Sequence, residues 1–325
     1  MFAPIEGNPL AGRDLLRLFD LTPAEFIFLL DKAAETKALW KKDARAAQAA
    51  APYTGQAVAV ILEKPSLRTR ISFERAAFRL GAQPIVMSDT SSAFSRGESV
   101  KDTIMVMERY VQAIVIRSFA QSRVQEIAHW ASVPVINALT DDFHPCQAVA
   151  DFMTIRECKG RLEGLKVAYL GDGANNMAHV FLEGVALSGM ELTIATAAGY
   201  DPNPVYLAEA EAMAAATGAQ IRLVRDPTEA LAAADVVVTD SWASMGAEAE
   251  HDKRVADLGI YQVNGESMRL AAADAIFLHC LPAHRNEEVS DEVMDAAYSR
   301  IYDEAENRMH AQQALLDLLM AGGLG

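Results

Sequence analysis

Glu63-Lys64-Pro65-Ser66-Leu67-Arg68-Thr69-Arg70 is the stretch that decides the fold. It follows the apolar run of residues 57–62 and precedes the amphipathic run of residues 71–80. Those two runs predict a strand and a helix with a turn between them. Pro65 interrupts regular structure, and Ser66 is of a residue type that often caps helices. The stretch therefore predicts a helix that begins just beyond the carboxyl end of a strand.

The start of this predicted helix is rich in groups that bind anions. Free backbone N–H groups at a helix N-terminus favour a negative charge. The guanidinium groups of Arg68 and Arg70 can each hold two phosphate oxygens, and the hydroxyls of Ser66 and Thr69 can add further hydrogen bonds. Taken alone, the pattern fits a phosphate-binding site and a plain helix start with surface arginines equally well.

Length, composition and charge limit the class of protein. The chain has 325 residues, which predicts two domains, and 51% of them are hydrophobic, enough for a sizeable core. A formal net charge of −15 argues against nucleic acid or an anionic membrane as a partner. No apolar run approaches the roughly 20 residues of a membrane span. The N-terminal residues resemble neither a signal peptide nor a transit peptide.

Cysteine usage indicates a reducing setting. Cys146, Cys158 and Cys280 make an odd count without paired spacing. Such a pattern predicts neither a disulfide framework nor a zinc site. We therefore expect a cytoplasmic protein without a metal ion.

Strands and helices alternate along both halves of the chain. The predicted strands cover residues 57–62, 84–87, 113–116, 133–137, 165–170, 192–195, 220–224, 235–239 and 275–278. Between them lie helical patterns, including 100–110, 122–130, 204–217, 227–233 and a last helix over 304–320. This alternation predicts parallel sheets covered by helices on both faces. We expect an α/β fold with two doubly wound domains divided near residue 150. Residues 88–98 are predicted to form a mobile loop.

Polar side chains stand at almost every predicted strand end, where open parallel sheets bind their ligands. In the first half these are Ser66 to Arg70, Arg117, and His144 with Gln147; in the second half they are Asn175 with Asn176, Asp240 with Ser244, and Cys280. The first set is basic and suits a small dianion with a polarised carbonyl. The second set carries amides, a carboxylate, a hydroxyl and a thiol, which suit an amino acid. A cleft between the domains would then hold a phosphorylated donor and an amino acid.

Each of these residues also has a purely structural interpretation. Asp172 and Asp240 can cap helices, His144 can be a packed histidine, and Cys280 can be a small buried residue. A dinucleotide site is a further alternative, since Gly171 and Gly173 follow a strand. However, the third glycine of that pattern is replaced by Asn176, and the next strand lacks the acidic residue that would bind a ribose. The regular placement at strand ends favours a substrate site.

Five motifs, in order along the chain, resemble those of the aspartate and ornithine carbamoyltransferases. They are Ser66-Leu67-Arg68-Thr69-Arg70, His144-Pro145-Cys146-Gln147, Gly171 to Asn176, Asp240 to Gly246 and His279-Cys280-Leu281-Pro282, and a sixth stretch, Glu304 to Arg308, is similar to the start of the family's last helix. The resemblance covers essentially the whole chain. The last three of the five motifs resemble the ornithine branch of the family.

The resemblance implies a fold, a reaction and partners. Residues 1–149 with the C-terminal helix 304–325 would bind carbamoyl phosphate, and residues 150–303 would bind L-ornithine. The C-terminal helix would pack back on the first domain. The products would be citrulline and phosphate, and no metal or organic cofactor would be needed. The family implies a homotrimer or a multiple of trimers, in which the loop before Gly97 reaches a neighbouring site. The resemblance is compatible with arginine biosynthesis and with arginine degradation, because both use the same reaction.

The resemblance also implies residue roles. The donor site would comprise Ser66, Leu67, Arg68, Thr69, Arg117, His144, Gln147, Arg308 and the backbone carbonyls at Cys280 and Leu281. The ornithine site would comprise Asn176, Asp240, Ser244 and Met245. Catalysis would depend on Arg117, His144, Asp240, Cys280 and Arg308. The proton of the δ-amine would pass to Cys280 near Asp240 or to the leaving phosphate.

Two positions depart from the family pattern. Leu67 replaces the usual threonine, so one phosphate-binding hydroxyl is lost while the backbone N–H remains. Ala93 stands where ornithine enzymes often have a glutamine that reaches the adjacent subunit, with Ser91, Ser92 and Ser95 nearby. We expect a weaker cross-subunit contact or one made by another loop residue. A carbamoyltransferase for putrescine or an N-acylornithine, or a non-catalytic binding protein, are the remaining alternatives.

Overall fold

The computed structural model describes residues 5–88, 97–243 and 248–323. The chain divides into two compact units. The first comprises Met1–Met153 and Glu306–Gly325, and the second comprises Thr154–Ala305. The segment predicted to be a mobile loop lies mostly outside the described residues. Within the described ranges, no helix is both long enough and apolar enough to cross a membrane.

The first unit is built on a parallel sheet. Its strands within the described residues are β1 (Ala57–Leu62), β2 (Gln83–Ser88), β3 (Ala113–Arg117) and β4 (Val135–Leu139). The helices that precede or connect them are α1 (Pro23–Lys42), α2 (Ala44–Ala49), α3 (Leu67–Arg79), α4 (Val100–Met107) and α5 (Gln121–Trp130). The strand order is β2-β1-β3-β4, and every pairing is parallel. Helix α6 (Pro145–Lys159) follows β4 and contains the first division point of the two units.

The second unit repeats this plan with a larger sheet. Its strands in the described part are β5 (Lys166–Leu170), β6 (Glu191–Ala195), β7 (Gln220–Val224), β8 (Val236–Thr239) and β9 (Ile276–Leu278). The helices are α7 (Asn176–Ser188), α8 (Pro204–Thr217), α9 (Pro227–Leu231), α10 (His251–Leu258), α11 (Gly265–Leu270) and α12 (Asp291–Met294). Helix α13 (Ile301–Met320) begins in this unit and lies mostly in the first one. The strand order is β7-β6-β5-β8-β9, again all parallel. Helix α13 contains the second division point.

Both sheets are doubly wound, as the sequence predicts. The chain adds strands on one side of β1 or β5 and then continues on the other side. The winding therefore reverses between β1 and β3 in the first unit and between β5 and β8 in the second. In open α/β sheets this switch point is where ligands bind, beyond the carboxyl ends of the strands.

The last helix packs within the first unit, as predicted. The Tyr53 hydroxyl donates to the Asp317 carbonyl at 2.7 Å. The buried Lys37 amine donates to the side chain of Asn307 at 2.7 Å. Helix α13 is thus held to the first unit at two points along its length.

Helix α3 begins where the sequence places it, because its first turn is capped. The Ser66 hydroxyl accepts a hydrogen bond from the Thr69 backbone N–H at 3.2 Å, satisfying one of the free donors of the helix start. Phe73, Ala76 and Ala77 are buried on one face of the helix. The buried strand β1 leads directly into this turn. These local signals determine where α3 begins and so where Ser66 and Thr69 lie.

Several predicted boundaries are wrong by two or three residues, among them the end of α4 at Met107 instead of residue 110. Strand β4 begins at Val135, two residues after the prediction, because Pro134 has no N–H to donate to a neighbouring strand. Helix α13 begins at Ile301 instead of residue 304, and the Glu304 N–H bonds the Arg300 carbonyl at 2.8 Å to close its first turn.

Candidate active site

Four of the predicted donor-site side chains meet at the start of α3. The Ser66 and Thr69 hydroxyl oxygens lie 3.0 Å apart. One guanidinium nitrogen of Arg308 donates to the Thr69 hydroxyl at 2.9 Å, and another donates to the Gln147 amide oxygen at 2.8 Å. Thr69, Gln147 and Arg308 are all buried. Residues from α3, α6 and α13 are thereby held together by direct hydrogen bonds.

Three guanidinium groups surround a buried imidazole in the same unit. Burial lowers the pKa of His144 well below its usual value, and the positive charges of Arg308, Arg117 and Arg68 lower it further. His144 is therefore neutral at physiological pH. Its buried Nδ1 has no hydrogen-bond partner among the described residues, and neither has Nε of the half-buried Arg68. Such a site carries excess positive charge and suits an anion that also presents a carbonyl oxygen.

The strand ends beneath this site are fastened by contacts that the sequence analysis missed. Lys64 is buried, forms an ion pair with Asp141 and lies 4.4 Å from the centre of the Phe119 ring. Glu63 accepts hydrogen bonds from the Ser118 hydroxyl and from Arg123. These partners lie 55 to 77 residues away in sequence, so no local signal indicates them. Arg117 is the last residue of β3, and its carbonyl accepts from the Glu63 N–H at 2.9 Å, so these contacts help to fix its backbone.

The second unit brings a thiol and a carboxylate together, as predicted. Cys280 follows β9, and its thiol donates to an oxygen of Asp240 at 3.2 Å. Asp240 follows β8 and also accepts from the Asn175 amide at 3.3 Å. Burial raises the pKa of Asp240, although His279, the Ser241 N–H and the Cys280 thiol oppose that change. This carboxylate is well suited to accept a cationic ammonium group.

Asn175 has a larger structural role than predicted. Its side-chain oxygen accepts from the Ala178 N–H and from the Tyr169 hydroxyl, both at 2.8 Å. Asn175, rather than Asp172, therefore caps α7. Asn176, the predicted ornithine ligand, is the half-buried first residue of that helix. Asn175 thus links the start of α7 to Asp240.

Three predicted residues have no described environment. Ser244 and Met245 of the predicted ornithine site, and Ala93 of the predicted mobile loop, lie outside the described residues. Leu67, the departure from the family pattern, is described and is 72% exposed. Leu281 is half-buried beside Cys280 with a positive φ of 58°.

Arg254 is a further residue that the sequence analysis missed. Its guanidinium group donates to Asp172 at 2.6 Å and to the Trp242 carbonyl at 3.0 Å. Burial raises the pKa of Asp172, which the Ala174 N–H and Arg254 oppose. Arg254 therefore joins the turn after β5 to the segment after β8. Its partner Asp172 is 82 residues away, which explains why the sequence gives no signal for the pair.

His279 fixes the backbone on either side of Cys280. Its Nδ1 accepts from the Leu281 N–H at 2.9 Å, and its Nε2 faces a Glu288 oxygen at 3.2 Å. The His279 N–H donates to Glu304 at 3.0 Å. Asp240, His279 and Cys280 also have ligand atoms within 4.8 Å of one another, a spacing that could hold a metal ion.

Family models match both halves of the chain. Residues 13–157 match the carbamoyl-P binding domain of aspartate/ornithine carbamoyltransferase. Residues 163–319 match the Asp/Orn binding domain of the same family. The two matches together cover most of the sequence.

Individual relatives extend this similarity. The chain is 50% identical to an ornithine carbamoyltransferase of Clavibacter sepedonicus over 95% of this chain and 98% of that protein. It is 48% identical to the ornithine carbamoyltransferase of Gloeobacter violaceus over 95% of this chain and 96% of that protein. The solved ornithine carbamoyltransferase of Pyrococcus furiosus matches with a TM-score of 0.90 at 45% identity, covering 96% of this chain and 98% of that one.

Proposed function

The chain belongs to the aspartate/ornithine carbamoyltransferase family, and from that premise we infer that it transfers the carbamoyl group of carbamoyl phosphate to the δ-amine of L-ornithine. The products are L-citrulline and phosphate. The observation that carries this assignment is the buried His144 among the guanidinium groups of Arg68, Arg117 and Arg308, because carbamoyl phosphate combines a phosphate with a carbonyl.

We propose that the first unit binds carbamoyl phosphate. Ser66, Arg68, Thr69 and the backbone N–H of Leu67 would bind the phosphate at the start of α3. Arg117 would contact both phosphate and carbonyl oxygen. His144, Gln147 and Arg308 would hold the carbamoyl group, with a neutral His144 donating one hydrogen bond to the carbonyl oxygen. The carbonyl groups of Cys280 and Leu281 stay predicted ligands of the carbamoyl nitrogen.

The second unit is the proposed ornithine-binding unit. Asp240 would bind the α-ammonium group, and Asn176, Ser244 and Met245 would bind the rest of the amino-acid end. The support for Asp240 is its placement at the switch point between β5 and β8, with its two oxygens bonded by Asn175 and Cys280. The predicted division into residues 1–149 with 304–325 and residues 150–303 stays part of this proposal.

In the proposed mechanism the δ-amine nitrogen attacks the carbamoyl carbon. The new C–N bond forms, the C–O bond to phosphate breaks, and phosphate leaves with the bonding electron pair. Arg117, His144, Thr69 and Arg308 would stabilise the oxyanion and the leaving group, a type of contribution worth about 3–4 kcal/mol per donor. The amine must lose a proton, either to Cys280 near Asp240 or to the departing phosphate.

An amine-acceptor assay tests this function. The protein is incubated with carbamoyl phosphate and, in parallel, ornithine, putrescine, acetylornithine or aspartate, and the ureido product is measured. We expect citrulline from ornithine and little product from the other amines. Product from another amine without citrulline would overturn the substrate assignment, and no product from any amine would favour a non-catalytic binding protein.

We also propose a homotrimer that works in the cytoplasm in arginine biosynthesis. The support for assembly is a set of exposed apolar side chains on α3, where Leu67, Ile71 and Phe78 are 72%, 50% and 54% exposed. Three free cysteines support a reducing setting. Light scattering coupled to gel filtration should give three times the chain mass of 35.2 kDa, or a multiple of that trimer.

A further inference from the structure

The second unit contains a cluster of imidazole and carboxylate groups that the proposed reaction does not use. We call His251, His284, Glu287 and Glu288 the His–Glu cluster. We propose that it binds a divalent transition-metal ion of the zinc type. The ligand atoms of His284, Glu287 and Glu288 lie within 4.8 Å of one another.

A well-fastened turn presents three of these side chains. The Glu287 N–H donates to the His284 carbonyl at 3.0 Å, and Asn286 takes the left-handed conformation with φ 67°, which Asn tolerates better than most residues. Arg285 forms ion pairs with Asp291 and Asp295, both at 2.7 Å. The turn is therefore held to α12, and its ligands need little reorganisation to bind an ion.

Glu288 supplies the observation that points to a cation. Its side chain is fully buried, and one oxygen accepts from His279 Nε2 at 3.2 Å and from the His284 N–H at 2.6 Å. The second oxygen has no hydrogen-bond partner among the described residues and lies 3.7 Å from His284 Nδ1. A buried carboxylate oxygen without a donor is costly. A metal ion between it and His284 would remove that cost.

His251, on α10, adjoins the cluster through Glu287. Its Nε2 lies 3.0 Å from a Glu287 oxygen. His251 and His284 both line a cavity of about 330 Å³, which Ala243, Ala249 and Asp252 also border. The cavity gives an ion a route from solvent to both imidazoles.

The chemistry of these ligands favours zinc over magnesium, and their spacing suits a tetrahedral ion. Bonds of about 2.0–2.2 Å in tetrahedral geometry place neighbouring ligand atoms about 3.3 Å apart. The observed separations of 3.0 Å for His251–Glu287 and 3.7 Å for His284–Glu288 bracket that value. Imidazole nitrogens suit zinc and its neighbours, whereas magnesium prefers oxygen ligands and water.

The His–Glu cluster is separate from the second set of side chains that could hold a metal ion, which includes a thiol. Asp240, His279 and Cys280 would offer sulfur, while the His–Glu cluster offers only nitrogen and oxygen. The two are connected through the His279–Glu288 hydrogen bond. Metal binding to the cluster would therefore stabilise the segment from His279 to Glu288, which contains Cys280.

Zinc titration of the full-length Cys280→Ala protein, after chelator treatment, tests the proposal by calorimetry. Removal of the thiol eliminates the competing group. We expect zinc to bind to the Cys280→Ala protein. Adding His284→Ala or His251→Ala should lower the zinc affinity about 10–100-fold or more, because even the mutation of a residue that hydrogen-bonds a metal ligand lowers affinity that much. The exposed His129, in the other unit, provides the control His129→Ala, which should bind zinc unchanged.

Both test histidines are partly exposed, at 45% and 40% of the side chain, so their loss should leave the fold intact, and thermal melting checks this. A cobalt-substituted Cys280→Ala protein should show tetrahedral d–d absorption. Absence of zinc binding in the Cys280→Ala protein would overturn the proposal. Equally tight binding after His284→Ala and His251→Ala would also overturn it.

Discussion

The two switch points of this molecule share a topology and differ in charge. In the first unit, guanidinium groups collect around His144, whose pKa is lowered by burial and further by their positive charges. Between β5 and β8 stand two carboxylates, Asp172, which pairs with Arg254, and Asp240, and burial raises the pKa of both. In the proposed function, the same backbone plan serves a phosphate in one unit and an ammonium group in the other. The charges at the strand ends, and not the topology, specify the ligand.

The two regions also differ in how their charges are held. In the first unit, Arg308 bonds side chains from two other helices, Thr69 and Gln147. In the second unit, Asp240 is bonded by an amide and a thiol, which are weaker partners than a guanidinium group. Removal of a charged side chain should therefore reduce activity more in the first region than in the second.

The largest effect is expected from Arg308→Leu. This change removes a proposed contact to the carbamoyl oxygen and leaves Thr69 and Gln147 without their donor. We expect kcat/KM for carbamoyl phosphate to fall about 10³-fold, or roughly 4 kcal/mol. Arg300→Leu, just before α13, is the control and should change this ratio little. Activity within tenfold of the unsubstituted protein would remove Arg308 from the catalytic set.

A smaller effect is expected from Asp240→Asn. The substitution keeps the shape but loses the charge that would bind the α-ammonium group, a contact worth roughly 1.5–3 kcal/mol. The KM for ornithine should rise about 10–100-fold while the KM for carbamoyl phosphate stays nearly constant. The exposed Asp303→Asn is the matched control. Equal changes in both KM values would contradict the assignment of ornithine binding to the second region and carbamoyl phosphate binding to the first.

His144 should affect stability as well as catalysis. Because its pKa is lowered in the folded protein, the unfolded chain takes up a proton first as pH falls through about 6.5, and stability decreases. At about pH 5.5 this cost is about 1.4 kcal/mol. Between about pH 7.5 and about pH 5.5, the Tm of the His144→Gln protein should therefore decrease less than the Tm of the unsubstituted protein. If Tm falls by the same amount in both proteins, His144 takes up the proton in the folded state as well, which would contradict the prediction. His129→Gln is the control.

The smallest effect is expected at Leu67. Because this side chain is 72% exposed, Leu67→Thr creates no cavity and restores the hydroxyl of the family pattern. A new hydrogen bond to phosphate is worth about 1 kcal/mol, so the KM for carbamoyl phosphate should fall up to about fivefold. Leu67→Val has the shape of threonine without the hydroxyl and should not produce this gain. An equal response to both substitutions would assign the effect to side-chain size.

Local signals in the sequence explain most of the fold. The start of α3 could be predicted because Pro65 and Ser66 act within one turn, and the buried strands are apolar runs. The start of β4 was missed because the prediction ignored the absent N–H of Pro134. Alternation of strands and helices was sufficient to predict the double winding, since parallel strands require crossover connections.

The candidate site was only partly predictable. The residue types at the strand ends, and then the family motifs, identify Thr69, Gln147 and Arg308. That these three bond one another depends on packing across 239 residues of sequence. The Lys64–Asp141 and Arg254–Asp172 pairs were missed for the same reason. Long-range ion pairs have no local pattern, so only the folded structure reveals them.

Direct binding of carbamoyl phosphate, measured by calorimetry without ornithine, tests the central claim that the two regions serve different substrates. Arg68→Ala should raise Kd at least about tenfold, because it removes a charge-assisted contact to phosphate. Asp240→Asn should leave Kd unchanged. Arg70→Ala should also leave it unchanged, because Arg70 is 59% exposed and pairs with Glu74 at 3.1 Å. An unchanged Kd for Arg68→Ala, or a comparable loss for Asp240→Asn, would contradict the account.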